Sequence, residues 1–301
     1  EVELSERITD GLRLLLPPRT RAEAASLARI GTPLLRQLPQ DPAPLTEAAA
    51  SATVWAAALV NGPDALAVLR RFATDPRHRV QEALLDAWKY FNPEEYAHRV
   101  LENAPLLDGE VMVEDPAMLP ALRHLTRLTS TAVILHHGTG LAVLDEVPHL
   151  TSVCVIAKAD SIAALESHPK LEQVDLYYDM HFDPAPLTRL PALRKLALVP
   201  RADGNLDFLP DCRHLTELTV HLEDHNGQLL KLWELSGLTE LTLRGTRSDT
   251  DLRGMSALAK LRQLTLAGQG DETSDTSAAE FIPLPERMPN ITDLSLWNYD
   301  L

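Results

Sequence analysis

The chain has 301 residues, 45% of them hydrophobic and 24% charged, the proportions of a folded globular protein and not of a disordered or collagen-like one. Its net charge is −15, and residues 1–105 hold 12 basic and 14 acidic side chains against 16 and 29 in the remainder, so the acidity lies in the second part and argues against nucleic acid as a partner. The longest apolar run, Val54 to Val60, is too short for a membrane span, and Cys154 and Cys212 supply neither a disulfide framework nor zinc spacing, so the expected location is cytoplasmic.

The length fits two units, which we place at 1–105, all-α, and 106–301. The chain starts at Glu1 with no methionine and no leader, so it is expected to be processed or cut from a longer protein. In the first part the spacing predicts helices near 4–16, 21–38, 45–61, 63–73, 77–90 and 93–103. Pro63, Pro76 and Pro93 are each expected just inside a helix start, beside the capping residues Asn61, Asp75 and Asn92. Within DPRHRVQEALLDAWKYFNPEEYAHRVL, Val80, Ala83, Leu84, Ala87 and Trp88 share one face. This stretch resembles a HEAT-like helical pair, which implies a cap for the open end of a repeat array. Val111 and Val113 predict a first irregular strand.

From Leu119 onward a repeat governs the sequence. L-x-x-L-x-L starts at Leu128, Leu150, Leu171, Leu193, Leu215, Leu238, Leu261 and Ile291, at successive spacings of 22, 21, 22, 22, 23, 23 and 30 residues. The columns continue backwards in steps of three, as in Leu206, Leu209, Cys212 and Leu215, or Leu252, Met255, Leu258 and Leu261. The L-x-L end has the period of a strand with one buried face, and the steps of three suit a helical or 3₁₀ return segment. One such unit cannot bury its own apolar columns, whereas stacked units enclose a continuous core.

On these residues the chain resembles the leucine-rich-repeat family, an α/β solenoid whose parallel strands line the concave side of an arc. The resemblance covers Leu119 to Leu301 and implies a binding role. One departure stands out: the Asn that the family often places three residues after the last strand leucine is replaced by His136, Lys158, Asp179, Arg201, Glu223, Thr246, Gln269 and Tyr299. Loop backbones must then be satisfied by other means.

Helices followed by such repeats, in a chain where only six of 28 basic residues are lysine, also resemble the C-terminal part of a bacterial NACHT-type (STAND, NLR-like) signal-transduction ATPase from a high-GC background. That resemblance implies a sensor or autoinhibitory role in defence or signalling, with an upstream nucleotide-binding module of the same parent chain as a partner. The alternative is a stand-alone leucine-rich-repeat adaptor without a switch.

No G-x-x-x-x-G-K-[ST], G-x-S-x-G or H-E-x-x-H occurs, so the chain is expected to be no enzyme and to need neither cofactor nor metal. His221 and His225 sit on a strand running into a loop, a spacing that does not aim both imidazoles one way. His136 and His137 point apart if extended. His168 and Cys212 fall in buried columns and are expected to be core residues. Cys154 is a small filler or, alternatively, a reactive thiol, in the column Ala132, Cys154, Asp175, Ala197, Thr219, Thr242, Thr265 and Ser295.

The candidate site is the outward column one residue beyond the last strand leucine. It reads Ile134, Ile156, Tyr177, Val199, His221, Arg244, Ala267 and Trp297, and apolar or aromatic side chains facing solvent are what a protein-binding surface needs. Of these, Ile134, Ile156, Tyr177, Val199, His221, Arg244 and Trp297, together with Tyr299, are the expected contacts of a protein partner on the concave face. Trp297 and Tyr299 serve equally well as a shield for the last repeat. The wide spacing before Ile291 marks an acidic insertion within GQGDETSDTSAAE, expected as a mobile loop that either grips a partner or is merely tolerated.

Overall fold

In the computed structural model the described residues are 33, 35–105, 111–135, 141–147, 149–157, 161–177, 182–199, 206–222, 229–246, 250–268 and 290–297. The predicted helix 4–16, nearly all of 21–38, Tyr299, the acidic insertion, His225, and His136 and His137 lie outside them. The chain divides into two compact units, Glu1–Val111 with Ala117–Leu128, and Met112–Pro116 with Thr129–Leu301.

The first unit is helical: α1 (Glu47–Val60), α2 (Gly62–Phe72), α3 (His78–Ala87) and α4 (Pro93–Tyr96), the last running into a π turn at Ala97–Leu101. Thr46 caps α1 by accepting from the Ala49 amide, and Asn92 caps α4 by accepting from Glu95, each relieving a donor that the helix cannot satisfy itself. Asn61, at φ 61°, breaks α1 from α2. With ψ at −178° this is a backbone conformation that side-chain-bearing residues rarely adopt, and the Asn61 amide braces it by accepting from the Gly62 N–H and donating to the Tyr90 carbonyl at 2.8 Å. Val80, Ala83, Leu84, Ala87 and Trp88 are all buried, as their shared face predicts. The two largest polar-tipped core side chains are satisfied, Trp88 donating to Pro93 O at 2.9 Å and Tyr96 to Leu84 O at 2.8 Å.

Three local expectations are corrected. Pro76 does not open α3, because Arg77 is the N-cap and the helix starts at His78. Asp75 is no helix cap either: it is buried and accepts from the Arg77 amide and guanidinium, while Arg77 also donates to the carbonyls of Leu45 and Pro42. Hydrogen bonds from the Arg77 guanidinium, against the opposing effect of burial, hold the Asp75 carboxyl below its ordinary range. The last predicted helix is also not uniform, since Glu102 N bonds to Ala97 O at 2.8 Å across a widened turn.

The second unit is built on one nine-stranded sheet in sequence order, β1 (Val111–Val113), β2 (Ser130–Leu135), β3 (Ser152–Ala157), β4 (Gln173–Leu176), β5 (Lys195–Leu198), β6 (Glu217–His221), β7 (Glu240–Thr246), β8 (Gln263–Gly268) and β9 (Asp293–Trp297). From β2 to β9 every pairing is parallel and in the register that the repeat dictates, Cys154 beside Asp175 and Asp175 beside Ala197, for example. The return segments are 3₁₀ turns, such as Leu141–Glu146, Ala163–Ser167 and Arg253–Ala257, with one short α-turn, α5 (Ala185–Thr188). This is an α/β solenoid.

The steps of three have a direct cause. Leu209 N bonds to Leu206 O, Cys212 N to Leu209 O and Leu215 N to Cys212 O, at 3.1, 2.9 and 3.1 Å. Bonds of three-residue span repeat at three residues per turn, so every third side chain faces the core. The inward strand positions Val153, Val155, Val174, Leu176, Leu196, Leu198, Leu218, Val220, Leu241 and Leu243 close that core from the other side, all buried. His168 and Cys212 are indeed core residues. His168 Nε2 donates to Leu144 O of the preceding repeat at 2.9 Å, and burial lowers its pKa. Burial pushes the Cys212 thiol up to about 12.

A regular ladder stands at the strand starts, the opposite end of the strands from the column where the family often places Asn. At the start of each strand one carbonyl accepts two amides of the next repeat: Thr129 O from Thr151 and Ser152, Glu172 O from Arg194 and Lys195, Thr216 O from Thr239 and Glu240. Threonine hydroxyls join it, Thr151 donating to Thr129 O, Thr239 to Thr216 O and Thr292 to Arg262 O, at 3.2, 3.0 and 3.3 Å.

Candidate partner-binding site

Alternation along each strand decides which side chains leave the core. With Val133, Val155, Leu176, Leu198, Val220, Leu243 and Leu266 turned inward and buried, the residue after each is turned outward. Parallel register then aligns these into one row: Ile134 beside Ile156, His221 beside Arg244, Arg244 beside Ala267, and Ala267 beside Trp297. Tyr177 and Val199 continue β4 and β5 by bonding to Val155 O and Leu176 O at 3.0 and 3.1 Å. Seven of the eight predicted contact residues therefore stand in a single row; Tyr299 lies outside the described residues.

Exposure along the row is graded. Ile134, Ile156, Val199 and His221 are half-buried and Arg244 is exposed, while Tyr177 is 38% and Trp297 63% exposed. Tyr177 and His221 are two strands apart, yet their rings meet edge to face at 5.8 Å between centroids and 89° between planes. Val199 ends the strand that lies between them. Such a pair presents a pre-ordered aromatic surface, because its rotamers are restrained before anything binds.

The next column inward is the floor of this face. Ala132, Cys154 and Ala197 are too small to rise above their neighbours and are nearly covered, which is why Cys154 is a filler rather than an open thiol. Asp175 lies between Cys154 and Ala197 in the sheet register, half-buried. Burial raises its pKa, opposed by a 2.8 Å hydrogen bond from Gln173 and by the charge of Lys195. Lys195 in turn pairs with Glu217 at 2.7 Å, and the proximity of Glu240 adds to the field that raises its pKa. Lys195 thus stands as a single cation beside Glu217 in the sheet register, with Glu240 one strand further on. Asp175 between two small neighbours is the feature that residue-by-residue reading passes over; a carboxylate in a column of small residues is the signal that marks it.

Just beyond the row, the end of β7 is irregular. Gly245 adopts φ 75° and the register shifts between Arg244 and Thr246, a bulge that absorbs one extra residue and re-aims the strand end. On β9 Trp297 stays on the outward face while the inward Leu294 is 44% exposed, so Trp297 does not shield the inward column there. Among the described residues no three or more His, Cys, Asp or Glu groups gather to hold a metal, and no helix is long and apolar enough to cross a membrane.

No protein-family model matches the sequence, and no curated protein matches it. Solved structures similar to the chain include an internalin, InlF, of Listeria monocytogenes (19% identity, 52% of this chain and 46% of that one, TM-score 0.38). A second is internalin C2 of the same species (16%, 67% and 83%, TM-score 0.36), and a third is a leucine-rich-repeat protein of Leptospira interrogans (10%, 77% and 88%, TM-score 0.26). The chain thus spans less than half the length of the first. The repeat phase and the strand register, taken together, decide the architecture. The fold is a leucine-rich-repeat solenoid with a helical region before it.

Proposed function

We propose that this chain is a protein-recognition module whose partner docks on the outward row of the sheet, and that it serves as the sensor or autoinhibitory end of a bacterial NACHT-type switch. The observation that carries the docking part is the edge-to-face aromatic pair of Tyr177 and His221, in one outward row with half-exposed Val199, Ile156 and Ile134. A soluble solenoid gains nothing for its own stability by ordering large rings on an outward face, and ringed apolar clusters of this type concentrate binding energy. Asp175, set below that row, offers a recessed acceptor for a cationic side chain of the partner.

Affinity capture with the purified chain, followed by mass spectrometry and titration of the recovered protein, tests the docking reading. Tyr177→Ala is expected to weaken binding about tenfold or more, with unchanged circular dichroism; full retention of affinity overturns the assignment of this face. The switch reading rests on the resemblance of helices followed by repeats. It is tested by the native coding sequence upstream of Glu1, where a strand–G-x-x-x-x-G-K-[ST]–helix unit supports it and a start codon leaves the stand-alone adaptor.

A further inference from the structure

The helical unit contains a groove of about 800 Å³ between α2 and the π turn, within the size range of ligand sites. Arg70 and Arg71 of α2 and Arg99 of the π turn line it, beside His98. Three guanidinium groups thus share the lining with one carboxylate, Glu102, which lies 3.3 Å from His98 Nδ1, in a chain whose net charge is −15. The groove is a local inversion of the molecule's charge.

Little within the unit neutralises it. Arg70 has no ion-pair partner among the described residues and is exposed. Arg71 donates to the Gln40 side-chain oxygen, which satisfies a donor without cancelling charge. Arg99 meets Glu95 at 3.2 Å with both side chains about half exposed, an arrangement that solvent screens and a competing carboxylate can replace. Pro63, Leu66 and Ala67 supply its apolar lining. Asn103, which also lines it, offers both a donor and an acceptor.

We propose that this groove binds an acidic peptide segment, one in which Asp or Glu side chains flank a small aliphatic residue. Carboxylates match the planar fork of arginine in two parallel hydrogen bonds. The aliphatic side chain covers Ala67, and Asn103 and Glu102 receive peptide groups of the backbone. Phosphate-bearing ligands fit less well: Glu102 repels a dianion, and apart from the His98 imidazole no ring lines the groove for a base to stack on. This site stands apart from the sheet face and does not depend on the reading given for it.

Fluorescence anisotropy on the whole chain tests the inference, with a fluorescein-labelled peptide of repeated Glu-Asp-Leu and a Lys-Arg-Leu peptide as its counterpart. Saturable binding of the acidic peptide alone is expected, weakening with added salt. Arg70→Glu with Arg99→Glu should reduce affinity about tenfold or more at unchanged helical circular dichroism. Ala67→Tyr, which adds bulk to the apolar lining and leaves the charge intact, should also weaken it. No saturable binding, equal affinity for the basic peptide, unchanged binding by the double variant, or displacement by inorganic tripolyphosphate at lower concentration than by unlabelled peptide each overturns the proposal.

Discussion

The helical unit and the repeat unit bury apolar surface by opposite means. The first relies on a few large side chains with polar tips, Trp88 and Tyr96, whose hydrogen bonds to Pro93 O and Leu84 O fix one packing. The second uses many aliphatic side chains of one size, with neighbours in each column supplied by adjacent repeats. In the first unit specificity sits in individual residues; in the second it sits in phase. A defect should therefore be absorbed differently in each.

The sharpest break is at Trp88. Trp88→Ala is expected to cost about 3–5 kcal/mol, removing helical circular dichroism before the strand signal in a urea titration; simultaneous loss of both signals would show that the two units do not unfold separately. Gly254→Ala comes next, because a Cβ there would stand 2.1 Å from the Trp233 ring. Displacing that ring between two return segments should cost about 1–3 kcal/mol, read as a lower urea midpoint. A milder test is Thr239→Val, which removes the hydroxyl bonded to Thr216 O while keeping the branched shape. A loss of about 0.5–1.5 kcal/mol is expected, and no loss would remove the threonine ladder from the account of stability.

The smallest effect is a pH slope. Burial lowers the His168 pKa in the folded chain, against the upward pull of the Leu144 carbonyl and Asp145, so the unfolded chain takes up the proton first. The resulting stability is complete above the ordinary histidine value of about 6.5 and is lost as pH falls through it toward the lower folded value. Comparing urea midpoints above and below that value, His168→Leu should show a shallower decline than the parent chain. An identical decline would assign the slope to other groups.

The repeat core was legible because its period is short and fixed by hydrogen-bond span: every third residue in the returns and every second in the strands. Pro63 and Pro93 were legible as helix starts for the same local reason. What escaped was everything set by contacts between residues far apart in sequence. Asp75 looked like a cap but is claimed by Arg77, which also reaches Pro42 and Leu45. Tyr177 and His221 were both placed on the outward row, but nothing in either repeat signals that the rings meet across the strand between them. The bulge at Gly245 appears in sequence only as a spacing of 23 where 22 is usual. As for the site, sequence and strand alternation are enough to give the row of outward residues; the depth at which Asp175 sits, and the pairing of Lys195 with Glu217, depend on side chains of the adjacent repeats.

The shared carbonyl at each strand start has a consequence for how such a molecule can change. Thr129, Thr151, Glu172, Arg194, Thr216, Thr239 and Arg262 each make the same two bonds to whichever repeat follows, and the bonds are to backbone, indifferent to side-chain identity. A joint of that kind is interchangeable. Deleting or duplicating one whole repeat, cut between equivalent positions, would rejoin two surfaces already made to fit, and would shorten or lengthen the outward row by one residue without disturbing the rest. The recognition face can thus be edited as a string of letters is edited, by copy number as well as by substitution.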